Sequence, residues 1–171
     1  MDSDSFKNLS ERVHRHWLAR LLRMHTTEGI GIDIWNDEFG IELKTALDRM
    51  KWSPAACQYP EYREMYPDKE LYWAFMVYNM SIPVQEFHGK SLSRRITYRE
   101  VWFMPWEWIE TRPLTEPKTG PYRYTYRSSF QGDGLIDATA IPLPSWNSTF
   151  LLPTGSNLEK YVLGLLNGSL H

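Results

Sequence analysis

The sequence predicts an α/β domain in which helices flank a central mixed β-sheet. Three observations carry that expectation. The chain opens on an amphipathic helical period. A stretch of period-two alternation follows. Two aromatic, apolar runs further on have the length and composition of buried strands.

Residues 5–25 supply the helix, with Phe6, Leu9, Val13, Trp17 and Leu21 spaced by three and four, and an end expected near Thr26–Thr27, before Gly29. His14 and His16 fall on different faces of it and read as surface residues that share no metal. Ile30, Ile32 and Ile34 alternate with Gly31, Asp33 and Trp35, so 30–35 reads as a strand. Asn36, Asp37 and Glu38 supply turn chemistry, and Phe39–Thr45 is the second strand, with Thr45–Met50 opening a short helix. Residues 53–68 hold three prolines and read as a loop with one helical turn. Leu71–Met80 and Val101–Ile109 are the aromatic strands, the second broken at Pro105. Tyr122, Tyr124 and Tyr126 have strand spacing, 132–156 reads as loops and short strands, and Leu158–Leu166 is a C-terminal helix capped by Asn157.

With 171 residues, the chain suits one domain over 1–171, its core about 5–110, followed by loops and the C-terminal helix over 111–171. Hydrophobic residues at 42% and charged residues at 23% are ordinary for a globular fold and exclude general disorder. No apolar run approaches the ~20 residues of a membrane span, and the first residues, Met1-Asp2-Ser3-Asp4, lack the basic and apolar regions of a secretory signal. Cys57 stands alone, so no internal disulfide forms and the cysteine reads as inert. These features set the expectation of an intracellular, cytoplasmic protein with no membrane partner. The net charge of -2 gives no global basic field.

The chemistry concentrates in the stretch from Gly31 to Lys44. Glu42 and Lys44 share one face of their strand, and Ile41 and Leu43 share the other. If the two strands form a hairpin with their isoleucines on one face, Asp33 joins Glu42 and Lys44 on the opposite face. Two carboxylates suit Mg²⁺, which keeps its remaining positions for water and phosphate. An ammonium beside them could hold a water or stabilise charge on phosphate. Composition alone predicts about one acid-x-Lys in this chain, and there are two, but Glu116–Lys118 contains Pro117 and makes a poor strand.

The pattern of Asp33, eight intervening residues, then Glu42-Leu43-Lys44 resembles the PD-(D/E)XK, or restriction-endonuclease-like, nuclease superfamily. Gly31 and Ile32 stand where the pattern places proline before the aspartate. The resemblance spans roughly residues 11–80. It implies a restriction-endonuclease-like fold and Mg²⁺ (or Mn²⁺) held by Asp33, Glu42 and the backbone carbonyl of Leu43. It also implies Lys44 positioning the attacking water and a 5′ phosphate left on hydrolysis. A helix glutamate is common in the superfamily. Glu11, aligned with Leu18 and Leu22, is the candidate here, the alternative being a surface acid paired with Arg15 at i+4.

Three segments are locally basic: 6–25; 88–99 with Lys90, Arg94, Arg95 and Arg99; and 118–131 with Lys118, Arg123 and Arg127. They could neutralise phosphates, or be solvated faces. The expected function is a Mg²⁺-dependent endonuclease acting on double-stranded DNA, foremost a small Type II restriction enzyme working as a homodimer. A junction resolvase or repair nuclease is the second subclass. The competing class is a non-catalytic module that binds nucleic acid or carbohydrate by aromatic stacking.

Overall fold

The computed structural model describes residues 3–47, 51–52, 54–88, 91–115, 125–126, 128–129, 136–143 and 147–168. Its helices are α1 (Ser3–Leu22), α2 (Gln58–Met65) and α3 (Asn157–Leu166). Its strands are β1 (His25–Thr26), β2 (Ile34–Trp35), β3 (Phe39–Leu47), β4 (Lys51–Trp52), β5 (Glu70–Met80), β6 (Ile96–Pro105), β7 (Leu114–Thr115), β8 (Thr125–Tyr126), β9 (Ser128–Ser129), β10 (Ala138–Leu143) and β11 (Ser148–Pro153). Seven of them make one sheet in the order β1-β2-β3-β5-β6-β11-β10, while β4 pairs with β9 and β7 with β8. The β3–β5 and β6–β11 pairs are parallel and the other neighbours in the sheet are antiparallel, so the sheet is mixed, as expected.

Several boundaries differ from the sequence expectation, each for a local reason. α1 stops at Leu22 because Arg23 takes a left-handed φ of 52°. Met24 N–H then bonds to Ala19 O at 2.9 Å, a Schellman closure. The expected 30–35 strand shrinks to Ile34–Trp35 because Gly29 and Gly31 have φ of +107° and +133°. That turn also sends Ile32 to the opposite core from Ile34. β3 runs on to Leu47, where a helix was expected to begin. The 53–68 loop contains the eight-residue helix α2. Strand β6 begins at Ile96 and ends at Pro105, and Trp106–Thr111 is a 3₁₀ helix, not strand. Proline has no N–H for the ladder, so the pairing stops there. α3 has the expected span, but its cap is Ser156, whose Oγ accepts from Glu159 N at 3.1 Å. Residues 138–143 and 148–153 form a hairpin.

Alternation along β3 and β5 divides the core between the two faces of the sheet. On one face Ile34, Ile41, Tyr72, Ala74 and Met76 pack with Trp17, Leu18 and Leu22 of α1 and Leu158 and Val162 of α3. On the other, Leu71, Trp73, Phe75 and Val77 pack with Tyr62 of α2 and Trp106, Trp108 and Ile109 of the 3₁₀ helix. Trp106 ties the second face together. Its ring stacks on Trp73 at 4.1 Å and 3°. Its Nε1 donates to Tyr59 O at 2.9 Å, and its own carbonyl accepts from Trp73 Nε1 at 3.0 Å. Trp106→Ala should therefore cost about 3–5 kcal/mol in urea unfolding. Leu114→Ala, at a side chain 53% exposed, should change stability by less than about 0.5 kcal/mol.

Candidate functional site

The turn Asn36–Glu38 sets the hairpin. Asn36 Oδ1 accepts from Glu38 N at 3.0 Å and Phe39 N at 2.7 Å. The register that follows pairs Ile34 with Ile41 and Trp35 with Gly40. Asp33 lies just before β2, outside the paired residues, and the single isoleucine face expected of the hairpin is not kept, since Ile32 and Ile34 enter different cores. Because β2 is only two residues long, the edge of β3 beyond Ile41 lacks a strand partner there. Asp33 Oδ2 takes its place and accepts from Leu43 N at 2.9 Å. In an extended strand the N–H and C=O of one residue point to the same side, so the Leu43 carbonyl opens on this edge too.

Glu42 is 3% exposed, on the α2 face of the sheet, and pairs in register with Trp73. Its Oε1 accepts from Lys44 Nζ at 2.6 Å and from Gln58 Nε2 at 2.7 Å. Gln58 also donates to Tyr62 Oη at 3.4 Å. Burial raises the Glu42 pKa to about 7, with Asp33 adding to the rise and Lys44 and Gln58 opposing it. The second oxygen, Glu42 Oε2, is buried with no hydrogen-bond partner, and so is Gln58 Oε1. A buried carboxylate oxygen left bare is costly and is the type of ligand a hard divalent cation requires. Asp33, Glu42 and the Leu43 carbonyl thus fit such a cation by ligand chemistry, with Gln58 Oε1 as a fourth oxygen nearby.

Arg15 completes the charge balance. Its Nε lies 3.0 Å from Asp33 Oδ1, and its Nη1 donates to Thr27 O at 2.6 Å. Glu11, one turn earlier on α1, does not take the position expected of it. Its side chain is 46% exposed and pairs with Lys7 at 3.9 Å, not with Arg15. Among the described residues no group of three or more His, Cys, Asp or Glu side chains converges on a metal position, so Glu11 does not extend the Asp33–Glu42 pair into a cage. His14, expected at the surface, is fully buried. Its Nδ1 lies 3.3 Å from Tyr98 Oη, and burial lowers its pKa to about 3, so it is neutral. His16 is exposed, 3.7 Å from Glu28.

Of the expected DNA-contacting residues, Arg94, Arg95 and Arg99 are exposed. Arg95 O accepts from Ser81 N at the end of β5. Ser81 is eight residues past Trp73, so this turn lies roughly 25 Å along the strand from Glu42. Lys90, Lys118, Arg123 and Arg127 lie outside the described residues, as do Tyr122 and Tyr124. Sequence reasoning missed Gln58 and Arg15 as site residues. The available signal was modest: a glutamine four residues before a tyrosine, in a segment read as loop.

No protein-family model, curated protein or solved structure matches this chain. No helix among the described residues is long and apolar enough to cross a membrane.

The pH dependence of stability tests the geometry around Glu42. Its folded pKa lies above its unfolded value, so its contribution is fully present below about 4.5 and is lost as pH rises through about 7. Glu42→Gln should therefore raise the urea-unfolding free energy of the cation-free protein at pH 8, by a few kcal/mol, and leave it nearly unchanged at pH 5. An equal effect at both pH values would mean that the carboxylate is hydrated.

Proposed function

We propose that this protein is a divalent-cation-dependent nuclease that hydrolyses phosphodiester bonds in DNA. The observation that carries the reading is Asp33, just before β2, bonded to Leu43 N beside Glu42 on β3, with Lys44 bonded to Glu42 and Glu42 Oε2 buried and unpartnered. The element order supports the likeness to the PD-(D/E)XK superfamily: a helix, an antiparallel hairpin bearing Asp then Glu-x-Lys, a second helix, and a strand parallel to the Glu-x-Lys strand. The restriction-endonuclease-like fold, the Mg²⁺ dependence and a homodimer that cuts both strands are parts of the same proposal.

Asp33, Glu42 and the Leu43 carbonyl would hold the ion, which when bound polarises the phosphodiester and lowers the pKa of a water. The protein's own groups do the rest. Lys44 is 21% exposed beside the buried Glu42. There its ammonium orients the attacking water and stabilises negative charge on phosphate. Gln58 fixes the Glu42 carboxylate, so its second oxygen keeps one direction.

The stacking-module alternative draws less support from the described residues. Trp73, Trp106, Phe75 and Phe103 are fully buried, so these aromatics build the core and present no platform.

Incubation with plasmid, linear and branched DNA in Mg²⁺ should give cleavage that EDTA abolishes and that Lys44→Ala lowers on the order of 10²–10³-fold. The fragment pattern separates site-specific from structure-specific cutting. A folded protein that cuts none of these substrates would sink the reading.

A further inference from the structure

Arg15 has a position that the reading above leaves unexplained. It projects from α1, on the far face of the sheet from α2, yet closes on the edge of the hairpin. It holds both ends of the loop that leads into Asp33. Nη1 donates to Thr27 O, Nε pairs with the Asp33 carboxylate, and Thr27 N donates to Asp33 O at 3.0 Å. A guanidinium has five N–H donors. Two are used here, and the others have no partner among the described residues. The Arg15 and Asp33 side chains are 19% and 17% exposed, so solvent and ligands reach the pair. Asp33 is thus already neutralised by a cation of the chain, at an oxygen that a divalent ion would need.

A divalent ion and a guanidinium cannot both sit on one carboxylate without mutual repulsion. An anion between them removes that conflict. We propose that Arg15 couples cation and phosphate binding: it pairs with Asp33 while the site holds no cation, and becomes a donor to the substrate phosphate once a divalent ion takes that carboxylate. The proposal rests on the nuclease reading. Guanidinium suits the role because its planar fork engages phosphate oxygens in pairs, which an ammonium does not. The consequence is that the cation binds weakly alone and firmly with DNA. By linkage, DNA gains the same factor from the cation.

The test measures binding. Ca²⁺ serves as the probe ion, a hard cation that takes oxygen ligands, with a short duplex oligonucleotide confirmed intact after each titration. Calorimetry gives Ca²⁺ affinity with and without the duplex, and fluorescence anisotropy gives duplex affinity with and without Ca²⁺. In the unaltered protein each ligand should tighten the other by a factor on the order of ten. Arg15→Gln should bind Ca²⁺ alone more tightly than the unaltered protein, and its coupling factor should fall towards one. Arg15→Lys keeps the charge without the fork and should retain only part of the coupling. If Arg15 were only a prop for Asp33, folded Arg15→Gln would bind Ca²⁺ more weakly, and that result overturns the proposal. So does undiminished coupling in Arg15→Gln or, should that variant fail to fold, in Arg15→Lys. An unaltered protein that binds no Ca²⁺ at all would instead remove the cation-dependent reading itself, and this proposal with it.

Discussion

A carboxylate buried inside a sheet constrains everything around it. Glu42 lies on β3, paired through nine residues to β5, with Trp73 as its neighbour across the ladder. An ionised group there is tolerated only if charge and hydrogen bonds surround it. Lys44 supplies the charge from the same face of the strand, and Gln58 supplies a hydrogen bond from α2. α2 must therefore lie over β3. It is held there by Trp106, which stacks on Trp73 and bonds to Tyr59 O. Trp106 reaches that place because β6 stops at Pro105 and the chain turns into a 3₁₀ helix. The second core is thus organised around one acid.

The two acids of the site are balanced in the same way. Asp33 is neutralised by Arg15 from α1, and Glu42 is paired with Lys44 from its own strand. The difference is in what remains open. Each Asp33 oxygen has a protein partner, while Glu42 Oε2 and Gln58 Oε1 have none. Buried polar atoms are almost always satisfied. Two bare oxygens on hydrogen-bonded side chains mark a place where stability is sacrificed, and such places concentrate at functional sites.

The abundance of aromatic residues has a structural use. Tryptophan and phenylalanine fill the face beneath α2, and Trp17 stacks on Tyr98 at 3.7 Å beneath α1. His14 is packed into that second group, 4.2 Å from the Tyr78 ring, which is why a residue in a basic helix proves to be core. A shallow groove of about 280 Å³ at the other end of β3, lined by Leu47, Met80, Ser81, Ile82, Pro83 and Val84, holds no titratable side chain.

The hairpin and its acid-x-Lys were legible in the sequence because strand periodicity is local: side chains two residues apart must share a face. Asn36, Asp37 and Glu38 marked the turn. The C-terminal helix was legible from its period. Other features were decided by contacts between distant segments. Glu11 and Arg15 lie on one helical stripe, and either could have reached the strands. Only the docking of α1 against β1 and β2 brings Arg15 to Asp33 and leaves Glu11 with Lys7. Gln58 lies in a proline-bearing stretch whose short helix is held by Tyr62 and Trp106, and burial of that kind leaves no period in so short a segment. The parallel pairing of β3 with β5 joins residues about thirty apart in the chain. Local chemistry therefore named the two carboxylates and the lysine, and long-range packing chose the partners that hold them.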